Sequence, residues 1–320
     1  MLPARLAPDE VDASFIALRY TRALKKLGPR LCDPSYWREL NPELTVSDDP
    51  IADAATPYPH AWAESKQAQA RLRDEGYLLS PPLVPIDLVI TLRTAVQRIV
   101  ARGLPPGCAL MYDEFYRVYT GLMAAVTPIL GPKPTLLPED FWVFFVPPGD
   151  GASSRWTAFP PHKDWSGGDP GVLSGDLPTV LVGWVALTDT TPNDSCMYVV
   201  PADCDASYRR NDRAVLAEDF RLQDIRAVPA RAGQVLLFST HLSHWGSRSS
   251  RWATQPRVSI SMFFQRSDVP PRFADTLDLT RPIPMDLRAR WVLRTLRLMF
   301  GREESDALMR GAGLSVSAST

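Results

Sequence analysis

Three of the four histidines lie in the second half of the chain, and one of them stands two residues from an aspartate. The histidines are His60, His162, His241 and His244. The run FPPHKDW places His162 and Asp164 at positions i and i+2. In an extended segment such side chains point to the same face and lie roughly 7 Å apart. This spacing allows both to bind one metal ion, but it also suits an ordinary loop histidine near prolines.

A second histidine-bearing segment, GQVLLFSTHLSHWGSRSS, follows much later and has the pattern of a strand. Two imidazoles and one carboxylate make up the facial triad of non-heme iron(II) oxygenases, which leaves metal positions open for a cosubstrate and dioxygen. An HxD spacing is a weak signal by itself, because a chain of this length can contain one by chance. A histidine delivered by a separate strand strengthens the metal-site interpretation.

Arg257 is a further candidate, in the strand-like run PRVSISMFF. An arginine that faces a protein core needs an anionic partner, since burying an isolated charge is costly. Its planar fork suits a carboxylate bidentately, and the C5 carboxylate of 2-oxoglutarate is one such partner. An acidic side chain of the fold, or an exposed position on the strand, would explain this arginine equally well.

Helical and strand-like patterns occupy different parts of the chain. Apolar residues at three- and four-residue steps predict helices over 10–27, 88–102, 112–130 and 287–300. Short apolar or alternating runs predict strands over 141–146, 179–187, 197–200, 235–238 and 257–265. Many short strands with turn residues between them predict a double-sheet jelly roll or barrel. The helix over 112–130 would serve either as part of a lid or as plain packing.

The composition is that of a globular protein. Hydrophobic residues make up 45% of the 320, and the formal net charge is −1. Nucleic-acid and membrane-surface partners normally require a basic excess, so neither is expected. No secretory signal or membrane-spanning stretch is expected either. The four cysteines are scattered, which predicts reduced thiols and a cytoplasmic protein.

Three stretches in the same order resemble the phytanoyl-CoA dioxygenase family of Fe(II)/2-oxoglutarate oxygenases. PHKDW resembles the metal-binding HxD of the family. WVALTDTTPNDSCMYVVPADCD, over 184–205, resembles its strand-turn-strand signature, and GQVLLFSTHLSHWGSRSS resembles the strand that delivers the distal histidine. The weaker GYLLSPPLVP resembles the N-terminal strand entry, so the resemblance covers most of the chain after about residue 65.

The resemblance implies a mostly β fold with flanking helices, built on a cupin-like, double-stranded β-helix (jelly-roll) core. We expect a helical or irregular extension over 1–65, an oxygenase domain over 66–284 with packed helices over 86–130, and a C-terminal helix with a frayed tail over 285–320. The family signature often ends in a Pro-Gly-Ser-His-like run, where this chain reads PADCD. We expect this departure to affect a turn and not the metal.

The metal ligands implied by the resemblance are His162, Asp164 and His244, with iron(II) as the metal and dioxygen as a cosubstrate. His241 is the competing candidate. Its odd offset from His244 would point it to the opposite face of a strand, so a structural or rim position is expected. Related halogenases carry a small residue in place of the carboxylate, so the presence of Asp164 favours hydroxylation or another oxidation.

The resemblance also implies a 2-oxoglutarate site. Arg257 matches the cosubstrate arginine, and Ser259 on the same strand face would add a hydrogen bond. Trp184 matches a tryptophan that lines this site, although a core aromatic would look the same. Arg251 is a minor alternative to Arg257, because the spacing from His244 is slightly longer than usual.

The expected reaction hydroxylates an unactivated C–H bond of a small organic molecule and gives succinate and carbon dioxide. Residues near the triad in sequence are substrate-binding candidates, although a solvated loop would look similar; they are Arg155, Trp156, Phe159 and Trp165. The oligomeric state does not follow from the sequence. Two other classes stay open, a zinc-dependent hydrolase or isomerase on a similar barrel and a non-catalytic binding jelly roll. Zinc would have no use for Arg257 as a keto-acid anchor.

Overall fold

In a computed structural model of the chain, helices surround two main antiparallel sheets, and two short strands, Leu173–Ser174 and Leu177–Pro178, form a separate antiparallel pair. The structure describes residues 8–51, 57–59, 61–149, 160–164, 173–174, 177–208, 219–273 and 275–316. The helices are α1 (Pro8–Leu27), α2 (Pro34–Leu40), α3 (Ala61–Glu64), α4 (Lys66–Glu75), α5 (Ile86–Ala101), α6 (Asp113–Leu130), α7 (Met285–Thr295) and α8 (Arg297–Gly311). The strands are β1 (Tyr77–Pro82), β2 (Thr135–Val146), β3 (Leu173–Ser174), β4 (Leu177–Pro178), β5 (Val180–Ala186), β6 (Met197–Val200), β7 (Arg226–Val228), β8 (Gln234–Ser239), β9 (Ser243–Gly246) and β10 (Arg257–Gln265).

The larger sheet has the strand order β1-β8-β5-β10-β2, and each neighbouring pair is antiparallel. Every residue of the central strand β5, VLVGWVA, is buried, because both faces of the sheet are covered. The predicted strands over 197–200 and 257–265 coincide with β6 and β10. β2 begins earlier than the predicted strand, at Thr135, and its ladder with β10 contains a register shift.

A smaller sheet of order β7-β6-β9 packs against one face of the larger sheet. Side chains from both sheets share one buried cluster, which includes Val182 and Trp184 of β5 and Met197 and Val199 of β6. This two-sheet core with flanking helices confirms the predicted jelly-roll class of fold. Among the described residues the two sheets do not close into a barrel.

Helices cover the other face of the larger sheet. α6 carries acidic residues in its first turn, which suits a helix N-terminus, and it ends at Leu130, directly before Gly131. Phe115, Tyr119 and Leu122 of α6 are fully buried in a cluster that also contains Leu181 of β5. α6 is therefore a core helix packed on the sheet and not a lid. The predicted bounds of α5 and α6 agree with the structure to within two residues.

The C-terminal part differs from the prediction of one helix over 287–300. α7 ends at Thr295, α8 follows directly, and Gly301 interrupts its path with a φ of +78°. Glycine adopts this conformation without the steric cost of a side chain, so the chain turns there and resumes its helix. Ala312 and Leu314 are buried, so this part of the predicted frayed tail packs against the core instead.

Arg288 joins distant parts of the chain. Its guanidinium is fully buried and lies 2.7 Å from Asp113 Oδ1. It also donates to the backbone carbonyls of Met111, Ser47 and Ile283. The N-terminal segment, α6 and α7 are therefore tied together beneath the larger sheet. The predicted domain boundaries near 65 and 284 stay a prediction. Within the described part of the chain, no helix is both long and apolar enough to cross a membrane.

Candidate metal centre

The segment 160–164, which contains the HxD run, lies beside β9 of the smaller sheet. The backbone N–H of His162 donates to the carbonyl of His244 and the reverse bond is also made, with N···O distances of 3.0 Å in both. One step further, the N–H of Asp164 donates to the carbonyl of Thr240 at 3.1 Å. These backbone bonds bring together residues that are far apart in the sequence.

His162, Asp164 and His244 form a compact group of potential metal ligands. Their ligand atoms all lie within 4.8 Å of one another. Asp164 Oδ1 is 3.5 Å from His162 Nε2 and 3.6 Å from His244 Nε2. Neighbouring ligands of one octahedral ion with bonds near 2.1 Å lie roughly 3 Å apart. A small inward movement of these side chains would thus suffice to bind one ion on a single face.

Backbone carbonyls orient both imidazoles. His162 Nδ1 lies 2.8 Å from the carbonyl oxygen of Pro160, and His244 Nδ1 lies 2.9 Å from that of Leu242. A carbonyl accepts only, so each Nδ1 must carry a proton and donate it, which makes Nε2, the ring atom nearest Asp164, the nitrogen that can bind a metal. Metal-binding histidines usually have this kind of outer hydrogen bond, which fixes the tautomer and the ring plane.

The charges of the group are also suited to a cation. Burial lowers the pKa of His244 to about 4, so this imidazole is neutral near pH 7. Burial opposes the charge of Asp164, but the adjacent His244 and His162 outweigh it and hold the pKa of the carboxyl below its ordinary value. The pKa of His162 is raised above its ordinary value. Burial alone would lower it, but the hydrogen bond and the negative charge of Asp164 outweigh that effect. The result is a pre-formed carboxylate between two imidazoles.

His241 lies outside this group, as predicted, but for a different reason from the one expected. It belongs to the turn between β8 and β9 and not to a strand, so the alternation of strand faces does not apply. Its side chain is buried, and Nδ1 lies 3.2 Å from the carbonyl oxygen of Tyr208. His60 lies outside the described residues.

The three candidate ligands line a cavity between the two sheets. Its volume is about 850 Å³, counted with its open mouth. Aromatic side chains dominate the remaining wall, which sequence reasoning left largely unassigned; it includes Asp140, Trp142, Phe144, Trp184, Met197, Phe238, Gly246, Arg257, Ser261 and Phe263. The two-residue period of strands is the signal that identifies the wall residues on β2, which are Asp140, Trp142 and Phe144.

Arg257 and Trp184 give one part of this cavity the character of an anion site. Arg257 is 4% exposed, its Nη1 lies 3.4 Å from Ser259 Oγ, and its guanidinium lies against the rings of Phe144 and Trp184 at 5.6 and 6.0 Å. The buried indole Nε1–H of Trp184 has no hydrogen-bond partner among the described residues. Buried donors are nearly always satisfied, so this one is suited to a ligand that carries an acceptor. A keto acid with two carboxylates therefore fits these residues.

The alternative arginine does not line the cavity, and the proposed substrate residues are not among those that the structure describes. Arg251 is exposed in the turn before β10, where its guanidinium lies 4.8 Å from the ring centre of Trp252. The four candidate substrate residues fall outside the described residues; they are Arg155, Trp156, Phe159 and Trp165.

Comparison with known proteins agrees with this geometry. Residues 111–252 match the family model for phytanoyl-CoA dioxygenase (PhyH). This stretch is a phytanoyl-CoA dioxygenase-family domain. It contains His162, Asp164 and His244, and Arg257 follows five residues after its end. No curated protein matches the chain in sequence.

Two solved structures illustrate the shared fold. The non-heme monooxygenase ThoJ, in its apo form, has a TM-score of 0.53 at 16% identity, over 75% of this chain and 98% of its own. The non-heme α-ketoglutarate-dependent carbocyclase SnoK, from nogalamycin biosynthesis, has a TM-score of 0.50 at 18% identity, over 70% of this chain and 98% of its own. At these identities the likeness establishes a common fold.

Proposed function

We propose that this protein is an Fe(II)- and 2-oxoglutarate-dependent oxygenase in which His162, Asp164 and His244 bind the iron. The observation that carries the proposal is the joint placement of two Nε2 atoms and one carboxylate on a cavity wall that also contains Arg257. Two imidazoles and a carboxylate with open positions are the donor set of non-heme iron(II) oxygenases. The family match supports the same chemistry.

We further propose that Arg257, Ser259 and Trp184 bind 2-oxoglutarate. The guanidinium fork of Arg257 would hold the C5 carboxylate, with Ser259 Oγ beside it at 3.4 Å from Nη1. The indole Nε1–H of Trp184 would donate to a carboxylate oxygen of the same molecule. With iron and dioxygen, bound 2-oxoglutarate supplies an oxidation of the substrate that is coupled to its own decarboxylation to succinate and carbon dioxide.

The protein itself orients and shields the reacting groups. The carbonyls of Pro160 and Leu242 hold the two imidazole planes, and Asp164 supplies a negative charge between them. The aromatic wall, which includes Trp142 and Phe263, limits water around the reacting centre and favours a substrate with apolar surface. No general base is needed.

A small organic molecule is the proposed substrate, and hydroxylation of an unactivated C–H bond is the proposed outcome. The family match and the retention of Asp164 support an oxidation over a halogenation. SnoK, which has the same fold, is a carbocyclase, so ring closure is the principal alternative outcome. Product mass separates the two, because hydroxylation adds one oxygen atom and oxidative ring closure removes two hydrogen atoms.

A different feature of the site disfavours each of the two competing classes. A zinc hydrolase or isomerase with the same ligands would have no use for a buried arginine and an indole donor beside the metal. A non-catalytic binding jelly roll would have no need of two imidazoles oriented by carbonyl groups with a carboxylate between them.

An anaerobic titration of the apo-protein with Fe(II) and then 2-oxoglutarate tests the proposal. We expect a visible charge-transfer band when the cosubstrate chelates the metal in the wild type, and its loss in Asp164→Ala. Folded protein that binds Fe(II) without developing the band would contradict the 2-oxoglutarate assignment. Protein that prefers Zn(II) and does not respond to 2-oxoglutarate would favour the hydrolase alternative.

A further inference from the structure

A buried polar network lies behind the two segments that carry the candidate ligands, 160–164 and β9, on the side that faces away from the cavity. The mutual backbone pairing of His162 with His244 places the next residues, Lys163 and Ser243, opposite each other. Side chains alternate along extended chain, so these two point away from the cavity that the histidines face. Lys163 is 5% exposed and Ser243 is fully buried, so both need polar partners inside the protein.

Asp205 supplies the link between them. Its Oδ2 accepts a hydrogen bond from Ser243 Oγ at 2.6 Å. Its Oδ1 accepts one from Ser207 Oγ at 2.6 Å and one from the Ser207 N–H at 2.8 Å. Lys163 Nζ donates to both Ser207 Oγ and the Ser207 carbonyl, each at 2.7 Å. One carboxylate thereby connects the residue before His244 to the residue between His162 and Asp164.

The segment 201–208, which contains Asp205 and Ser207, is held in place by hydrogen bonds to other parts of the fold. The N–H of Ala202 donates to the carbonyl of Glu75, and the N–H of Ala206 donates to that of Asp219. The carbonyl of Tyr208 lies 3.2 Å from His241 Nδ1, in the turn that leads into β9. PADCD, the run that departs from the family signature, ends at Asp205. The departure therefore reaches the back of the metal centre as well as a turn.

We propose that Asp205 is a positioning residue of the metal centre, acting through Ser243 on β9 and through Ser207 and Lys163 on the HxD segment. This inference rests on the proposed function, since it assumes that the three facing side chains bind a metal. Asp205 touches neither metal nor substrate. It sets the separation of the two segments, and with it the distances from Asp164 to the two histidine Nε2 atoms. Partners that bond directly to metal ligands typically change metal affinity about 10- to 100-fold when they are removed, and we expect an effect in this range for the link through Asp205.

Asp205→Asn is the direct test, because it keeps the shape and removes the charge. The metal affinity of the full chain is measured anaerobically with Fe(II), and in parallel with Co(II), whose visible spectrum reports ligand geometry. We expect Fe(II) to bind about 10- to 100-fold more weakly and the Co(II) spectrum to change. Asp113→Asn is the matched control, since it alters another buried carboxylate that joins distant segments, through Arg288 and Ser47. It should lose thermal stability but keep the wild-type Fe(II) affinity and Co(II) spectrum.

Ser243→Ala provides a second route if Asp205→Asn folds poorly. It removes one buried hydroxyl, and Ser305→Ala is its matched control, because Ser305 is equally buried and its hydroxyl donates to the carbonyl of Leu293, away from the site. We expect weaker metal binding for Ser243→Ala only. In the double variant with Asp205→Asn the two losses should be less than multiplicative, since both act through one hydrogen bond.

The outcomes separate this inference from the proposed function. If the wild type binds Fe(II) and 2-oxoglutarate, while Asp205→Asn and Ser243→Ala keep the wild-type affinity and Co(II) spectrum, the positioning role is refuted and the oxygenase proposal stands. If the folded wild type binds no metal, both are refuted.

Discussion

Replacement of Arg257 by glutamine is expected to weaken 2-oxoglutarate binding strongly while leaving metal binding intact. Arg257 is 4% exposed, and burial lowers its pKa from the ordinary 12.5 to about 10. A pKa change of this size means that burial makes the charged guanidinium roughly 3 kcal/mol less stable relative to its neutral form. A carboxylate bound beside the guanidinium offsets this destabilisation and accepts charge-assisted hydrogen bonds.

The size of the loss follows from breaking a buried ion pair. Removal of one partner from such a pair costs about 3–5 kcal/mol. Since about 1.4 kcal/mol is a factor of ten, the dissociation constant of 2-oxoglutarate should rise by about two to three and a half orders of magnitude. Glutamine retains hydrogen-bonding capacity, so a loss near the lower end of this range is expected.

The assay is an anaerobic titration of Fe(II)-loaded protein with 2-oxoglutarate, followed by the charge-transfer band. Arg251→Gln is the control, because that arginine lies on the surface against Trp252 and its loss should leave the affinity unchanged. An Arg257→Gln protein that is folded, binds Fe(II) and keeps its 2-oxoglutarate affinity within about threefold would refute the anchoring role. If Arg251→Gln loses more 2-oxoglutarate affinity than Arg257→Gln does, the anchoring role belongs to Arg251, in the turn before β10.

Four further predictions concern the metal, the cosubstrate and the fold. His244→Ala should abolish high-affinity Fe(II) binding while His241→Ala retains it, as measured by equilibrium dialysis; equal losses would contradict the assignment. Trp184→Phe should weaken 2-oxoglutarate about 10-fold or more, the value of a hydrogen bond to a charged group, without a change in Fe(II) affinity. The pKa of His162 is raised above 6.5, so its proton competes with the metal below that pKa and Fe(II) affinity should fall from pH 8 to pH 6; a pH-independent affinity would show that this imidazole is not a ligand. Arg288→Met should lower the free energy of unfolding in urea by about 3–5 kcal/mol, since it leaves a buried carboxylate without its partner, and should not change Fe(II) affinity.

Local patterns in the sequence were sufficient to predict several of the strands that line the site, although not β9, which carries His244. The alternation in 257–265 identifies β10, and the spacing of His162 and Asp164 predicts a shared face before any long-range contact is known. The resemblance to the family then singled out His244 from His241. Both lie in one short run, and the structure separates them because the turn between β8 and β9 ends between them.

Contacts between distant segments could not be predicted in the same way. The wall residue Asp140 lies one residue before the predicted strand, which starts at 141. In the structure β2 begins earlier, at Thr135, and its register with β10 shifts along the ladder. The link from Asp205 to Lys163 and Ser243 depends on how the segment after β6 folds back over β9, which no local pattern encodes. The ion pair of Arg288 with Asp113 is similarly remote in sequence.

The position of the bound metal tests the central proposal most directly. Crystals grown anaerobically with Fe(II) and 2-oxoglutarate would be measured at the iron absorption edge. The proposed function predicts one anomalous peak at bonding distance from His162 Nε2, Asp164 Oδ1 and His244 Nε2, with the far carboxylate of 2-oxoglutarate on Arg257. A peak at any other group of side chains, or a carboxylate bound away from Arg257, would contradict it.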